Sequence, residues 1–150
     1  MAAISSNEII PPYQTVFVPF GPNSTVAGTA VAASTSYRVW VTNQPTYILS
    51  IQLVRGTGTV GTVTYQAGYS TSAVPATALT TTAFGDSTVA DTATEGLISL
   101  PIAAQAPTTP DITTGKPLLL STGTYVGFVT DAGTVTNSKL TGVIIKYRCP

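Results

Sequence analysis

Short runs in which β-branched and aromatic residues alternate with polar ones recur along almost the whole chain, each cut by Gly, Pro, Asn or Asp. This period of two belongs to strands, whose successive side chains point to opposite faces, and no segment shows the spacing of three to four that a helix needs. The pattern predicts strands over 13–20, 36–42, 46–54, 59–66, 96–103, 116–121, 122–130 and 139–148. In 36–42, Tyr37, Val39 and Val41 share one face and Trp40 lies on the other. In 46–54, Tyr47, Leu49, Ile51 and Leu53 form the more apolar face, and with Val126, Phe128, Val143 and Ile145 they make the predicted core.

The breakers give the connections. Asn43-Gln44-Pro45 is a turn because Pro45 fixes its own φ and restricts Gln44, so 36–42 and 46–54 are expected to be antiparallel neighbours. Asp131-Ala132-Gly133 reads as a hairpin-type turn before 139–148, a strand apolar on both faces and so expected at the centre of a sheet. The Thr-rich stretch 69–95 is the least patterned, a long excursion with short strands around 76–84. It is suited to contacting a neighbour; the alternative is an ordered pair of edge strands packed on their own domain. Eight to ten short strands with regular turns predict an all-β, jelly-roll-like sandwich: an N-terminal arm over 1–12 and a single domain over 13–150.

Charge bounds what such a sandwich does. Only 8% of the 150 residues are charged, six Lys+Arg against six Asp+Glu, where soluble proteins average about 25%. The surface is therefore built largely from the 28 Thr, 12 Ser, 17 Ala and 13 Gly, which cover area without charge and keep monomers apart poorly at zero net charge. A subunit of an assembly is expected. With no His, Ser-His-Asp and Cys-His nucleophiles and HExxH zinc sites are excluded. Cys149 stands alone, so neither an internal disulfide nor a cysteine zinc site is available. No cofactor is called for. The N-terminus has no cationic, signal-like segment and no run is long enough to span a membrane, so synthesis in a cytoplasm is expected.

The candidate motifs are weak when tested. Gly56-Thr57-Gly58-Thr59-Val60-Gly61 matches GxGxxG, but β-branched Thr62 to Tyr65 follows it, leaving no helix N-terminus for a pyrophosphate; a turn is the better reading. Asp86, Asp91 and Glu95 form a local carboxylate cluster among Ser and Thr oxygens. Such hard ligands suit Ca²⁺, although acids in a polar segment more often serve as solvated turn residues. Three of the six cations, Lys139, Lys146 and Arg148, fall in the last twelve residues. No basic arm is present, so nucleic-acid binding is not expected. Asn23-Ser24-Thr25 is a formal sequon read as a turn. Ile4, Ile9 and Ile10 in the arm, with Leu79 and Phe84 in the excursion, are the candidate residues for contact with other chains.

Taken whole, this leaderless, His-free, Thr/Ala/Gly-rich and charge-poor β chain, with its Pro-bounded arm and long small-residue loop, resembles the head decoration (cement) proteins of tailed bacteriophages. The resemblance rests on composition and architecture and carries over no residue. It implies a non-enzymatic virion protein, made in the host cytoplasm, that sits on the capsid exterior as a homo-oligomer, a trimer being favoured. Its partner would be the major capsid protein, with no nucleic acid and no membrane. The alternative is a phage tail or fibre domain that binds a carbohydrate receptor, with Tyr65, Tyr69 and Phe84 as exposed stacking rings. A shell-forming coat subunit is a third reading, disfavoured by the small size and missing basic arm.

Overall fold

The computed structural model describes residues 13–21, 28–57, 61–74, 77–85, 87–91, 96–102, 119–135 and 138–150. The described residues build two antiparallel sheets packed face to face from β1 (Gln14–Pro19), β2 (Thr29–Ala30), β3 (Ser36–Val41), β4 (Thr46–Arg55), β5 (Thr64–Ser70), β6 (Val89–Ala90), β7 (Gly96–Ser99), β8 (Leu119–Leu120), β9 (Tyr125–Thr130) and β10 (Lys139–Arg148). One short 3-10 turn, Thr82–Phe84, interrupts them. The first sheet has the order β1-β10-β4-β7, with β2 also on β10 and β8 on β4, and the second has the order β3-β9-β5-β6. Within the sheets β1 pairs with β10, β3 with β9, β4 with β7 and β5 with β6. The chain is thus a long hairpin folded on itself and rolled, so that β10 also meets β4 and β9 also meets β5. These two packed antiparallel sheets are the β-sandwich that the alternation predicted.

Rolling the hairpin sends β3 and β4, and likewise β9 and β10, to opposite sheets, which overturns two expected connections. β3 and β4 are not neighbours: β3 pairs with β9, and Asn43-Gln44-Pro45 carries the chain across to the first sheet. Asp131-Ala132-Gly133 likewise crosses between sheets. Its Asp131 carboxylate accepts hydrogen bonds from the Gly133 and Thr64 N–H groups, at 3.0 Å each, and so fixes the crossing. A turn residue specifies where the chain reverses, but not which strand it pairs with afterwards. β10 lies between β1 and β4, the central position expected of it.

Three bulges decide which side chains enter the core, since one extra residue on a strand shifts the alternation by one. Along β10 and β4 the register runs Lys146 to Ser50 and then Tyr147 to Ile48, leaving Leu49 as the extra residue. Ile48 is therefore buried with Ile51 and Leu53, while Tyr47 and Leu49, expected inside, are half-buried. Along β3 and β9 the register skips Val39. Trp40 then turns inward to pack on Tyr147, ring centroids 4.7 Å apart, and Val41 is exposed. A third shift, between Leu140 and Gly142, keeps Leu140, Val143 and Ile145 all buried. Val126 and Phe128 are buried as expected. Phe128 anchors the aromatic part of the core, with Tyr37 stacked at 4.9 Å, Phe20 at 5.7 Å and Tyr65 at 6.0 Å.

The described part of the excursion folds back on its own sheet. Thr80 and Tyr69 exchange backbone hydrogen bonds, and the Arg38 guanidinium donates to the Val74 and Thr77 carbonyls. Leu79 closes over Gly68, where a Cβ would meet it at 2.8 Å. The alternative reading of 69–95, packed on its own domain, describes these residues.

Candidate functional site

The one cluster of ionisable side chains that the fold assembles among the described residues is sealed inside it. Arg55, at the end of β4, and Asp91, just after β6, come from different sheets, and their side chains have no solvent exposure. Arg55 Nε donates to Asp91 Oδ1 at 2.9 Å and Nη2 to Oδ2 at 3.2 Å, a fork-to-fork pair. The carboxylate also accepts from the Gly61 N–H at 3.0 Å, the Ser138 hydroxyl at 2.8 Å and the Tyr65 hydroxyl at 3.3 Å. The guanidinium's Nη1 donates to the Gly56 and Lys139 carbonyls. Burial pushes the Asp91 carboxyl upward, but the Gly61, Ser138 and Arg55 donors outweigh it and hold the group below its ordinary 3.8. Burial, reinforced by the Asp91 charge, raises the Tyr65 phenol and keeps it protonated.

This arrangement corrects the reading of the acidic cluster. Asp91 is an internal counter-ion and not a solvated turn residue, and its oxygens are taken up by protein donors, leaving them unsuited to a cation. Asp86 and Glu95 lie outside the described residues. No group of three His, Cys, Asp or Glu able to hold a metal occurs among the described residues. The glycine run 56–61 does meet an anion, though an internal one: Gly61 gives its N–H to Asp91, while a Cβ there would press on Ser138 and Thr134.

The expected contact and stacking residues divide differently. Ile4, Ile9 and Ile10 lie outside the described residues, as does the sequon. Leu79 and Phe84, expected to face other chains, are 6% and 1% exposed. Phe84 fits edge-on against Tyr69 in the chain's own core, at 5.7 Å, and is unavailable for contact. Tyr65 and Phe84 likewise cannot stack on a sugar; both rings are buried within their own chain. Cys149 is half-buried and accepts from the Gln44 amide at 3.0 Å.

What the fold leaves open is a surface. The second sheet's outside is partly covered by the chain's own loop, through Arg38 and Leu79. On the first sheet's outside stand Tyr13, Phe17, Leu97 and Leu119, at 43, 53, 54 and 46% exposure, four of the six large apolar side chains most exposed among the described residues. The cross-strand register sets Phe17, Ile144, Gln52 and Ser99 in one row across the sheet and Val54 beside Leu97 in the next. A cleft of about 320 Å³ opens between β1, β2 and β3, lined by Val18, Phe20, Ala30, Tyr37 and neighbours. Sequence alternation placed Phe17 on one face of its strand, but nothing in the sequence told which face would look outward. No helix among the described residues is long and apolar enough to cross a membrane. No protein-family model, curated protein or solved structure matches this chain.

Proposed function

We propose that this chain is a non-enzymatic structural protein of a virion, a decoration protein that binds and reinforces the outside of a phage capsid as an oligomer. One observation carries the reading: the described ionisable cluster is locked inside as an ion pair, while the outer face of the first sheet carries the exposed side chains of Tyr13, Phe17, Leu97 and Leu119. Such a molecule is equipped for contact and not for proton transfer or nucleophilic attack. Jelly rolls serve in capsid and lectin domains alike, so the choice between them rests on surface chemistry. The burial of Tyr65 and Phe84 removes two of the three rings on which the carbohydrate reading depended. Cementing works through many shape-complementary contacts of ordinary size repeated by symmetry. With few charges involved, binding depends weakly on salt, unlike nucleic-acid binding.

The test strips the protein from purified particles, challenges them with heat or osmotic shock, and adds it back. Stripped particles are expected to burst more readily and restored ones to recover. Equal robustness with and without the protein, or its absence from the head, would discard the cement reading in favour of the tail or fibre one.

A further inference from the structure

We infer that the end of the first sheet's outer face around Lys146 and Arg148 is a docking site for an extended acidic segment of a partner protein, one whose carboxylates stand on alternate residues. The inference deepens the assembly reading above and rests on it for the partner's being a protein. Lys146 and Arg148 lie two residues apart on β10 and so project from the same face, about 6.6 Å from one another along the strand. Each is held over a tyrosine ring, Lys146 over Tyr13 at 3.7 Å and Arg148 over Tyr47 at 5.1 Å, which fixes where the two charges stand. The residues beside them in the ladder, Thr15 and Ser50 next to Lys146 and Tyr47 next to Arg148, are uncharged. Among the described residues no carboxylate pairs with either cation: Asp91 is sealed against Arg55, and Asp131 is bound to Thr64.

Charge and spacing select the occupant. An extended segment repeats its outward side chains every two residues, the same interval as the two cations, so acids on alternate positions meet both at once. The next residue on that side of the segment falls beside Ile144 and Phe17, where an apolar side chain fits. A second copy laid on this face brings the same cations and no described carboxylate to meet them, a juxtaposition of like charges that disfavours it. Nucleic-acid binding grows with the number of phosphates neutralised, and two cations neutralise only two. A sugar would need the ring faces of Tyr13 and Tyr47, over which the cations already lie.

Fluorescence anisotropy on the purified full chain tests this without any particle, with a labelled Glu-Thr-Glu-Thr-Val-Thr peptide beside its Gln-Thr-Gln-Thr-Val-Thr counterpart. The acidic peptide is expected to bind, more weakly as salt rises, and the amide peptide is expected not to. Lys146→Gln and Arg148→Gln are each expected to weaken binding about threefold, the scale of an exposed ion pair, and together about tenfold. Lys146→Arg keeps the charge and the binding, and Lys139→Gln, which removes the same charge at the other end of β10, leaves binding unchanged. Equal binding of the amide peptide, an equal loss in Lys139→Gln, or tighter binding of a single-stranded oligonucleotide or an acidic polysaccharide overturns the inference. Stripped particles separate it from the reading above. A double variant that restores them as fully as the natural chain overturns the inference and keeps the cement reading. Peptide binding as described, by a chain that does not restore particles, keeps the inference and ends the cement reading.

Discussion

Asp91 is the residue on which the fold has most at stake. Its carboxylate accepts from Arg55 in one sheet, from Tyr65 in the other, and from Gly61 and Ser138 at the junction. Removing one partner of a buried pair strands the other charge, which costs about 3–5 kcal/mol. Asp91→Asn is therefore expected to lower the urea-unfolding free energy by that amount. Arg55→Met with Asp91→Leu is expected to recover only part of it, because Gly61, Ser138 and Tyr65 then lose their acceptor at about 1–3 kcal/mol for each buried group left unpaired. Full recovery in the double variant would show that the added donors contribute nothing. The carboxyl is held below 3.8 in the folded chain, so its stabilising contribution is present above the unfolded value and is lost as pH falls through the folded one. Unfolding free energy from this group is expected to hold steady from neutral pH down to about pH 4 and to drop below it. Asp91→Asn is expected to flatten that acid limb; an unchanged limb would place the acid sensitivity elsewhere.

At the scale of the element, the bulges set the facing of the strands and the glycines permit their approach. Gly127 of β9 lies against β3 where the register skips Val39, and a Cβ there would overlap the Tyr37 carbonyl oxygen. The neighbour is backbone within a ladder and cannot swing away as the end of a side chain would. Gly127→Ala is expected to cost on the order of 3 kcal/mol, in the range of overpacking and backbone displacement, read as a fall in the urea midpoint at unchanged slope. A loss of a few tenths would mean that β3 moves aside freely. The same bulges explain why Tyr47 and Leu49, expected inside, are only half-buried while Ile51, Leu53, Val143 and Ile145 are buried as expected. Alternation holds between bulges, and a bulge leaves no reliable mark in the residues that form it.

At the scale of the whole molecule, the first strand closes on the last and the third on the ninth. Such distant pairings must form before the core rewards them, so refolding is expected on a millisecond-to-second or slower scale; stopped-flow refolding complete in microseconds would contradict the rolled topology. The same closure brings Arg55, Asp91 and Ser138, far apart in the chain, to one buried point. That convergence is why Asp91 read as a turn residue. Its own neighbours are Thr and Ala, and the charge that claims it lies in another sheet. By itself the sequence determined that the chain is all β, where most strands lie, that 139–148 is central, and that charge is too scarce for a surface of ions. Each of these follows from local periodicity or composition, which act on neighbours or on averages. Only the tertiary structure decided which strands pair, which way each face looks, that Leu79 and Phe84 are interior, and that Phe17 and Leu97 stand exposed on the first sheet's outer face. Those outcomes are fixed by bulges and by contacts between segments remote in the chain, whose energies are not encoded in any single window of residues.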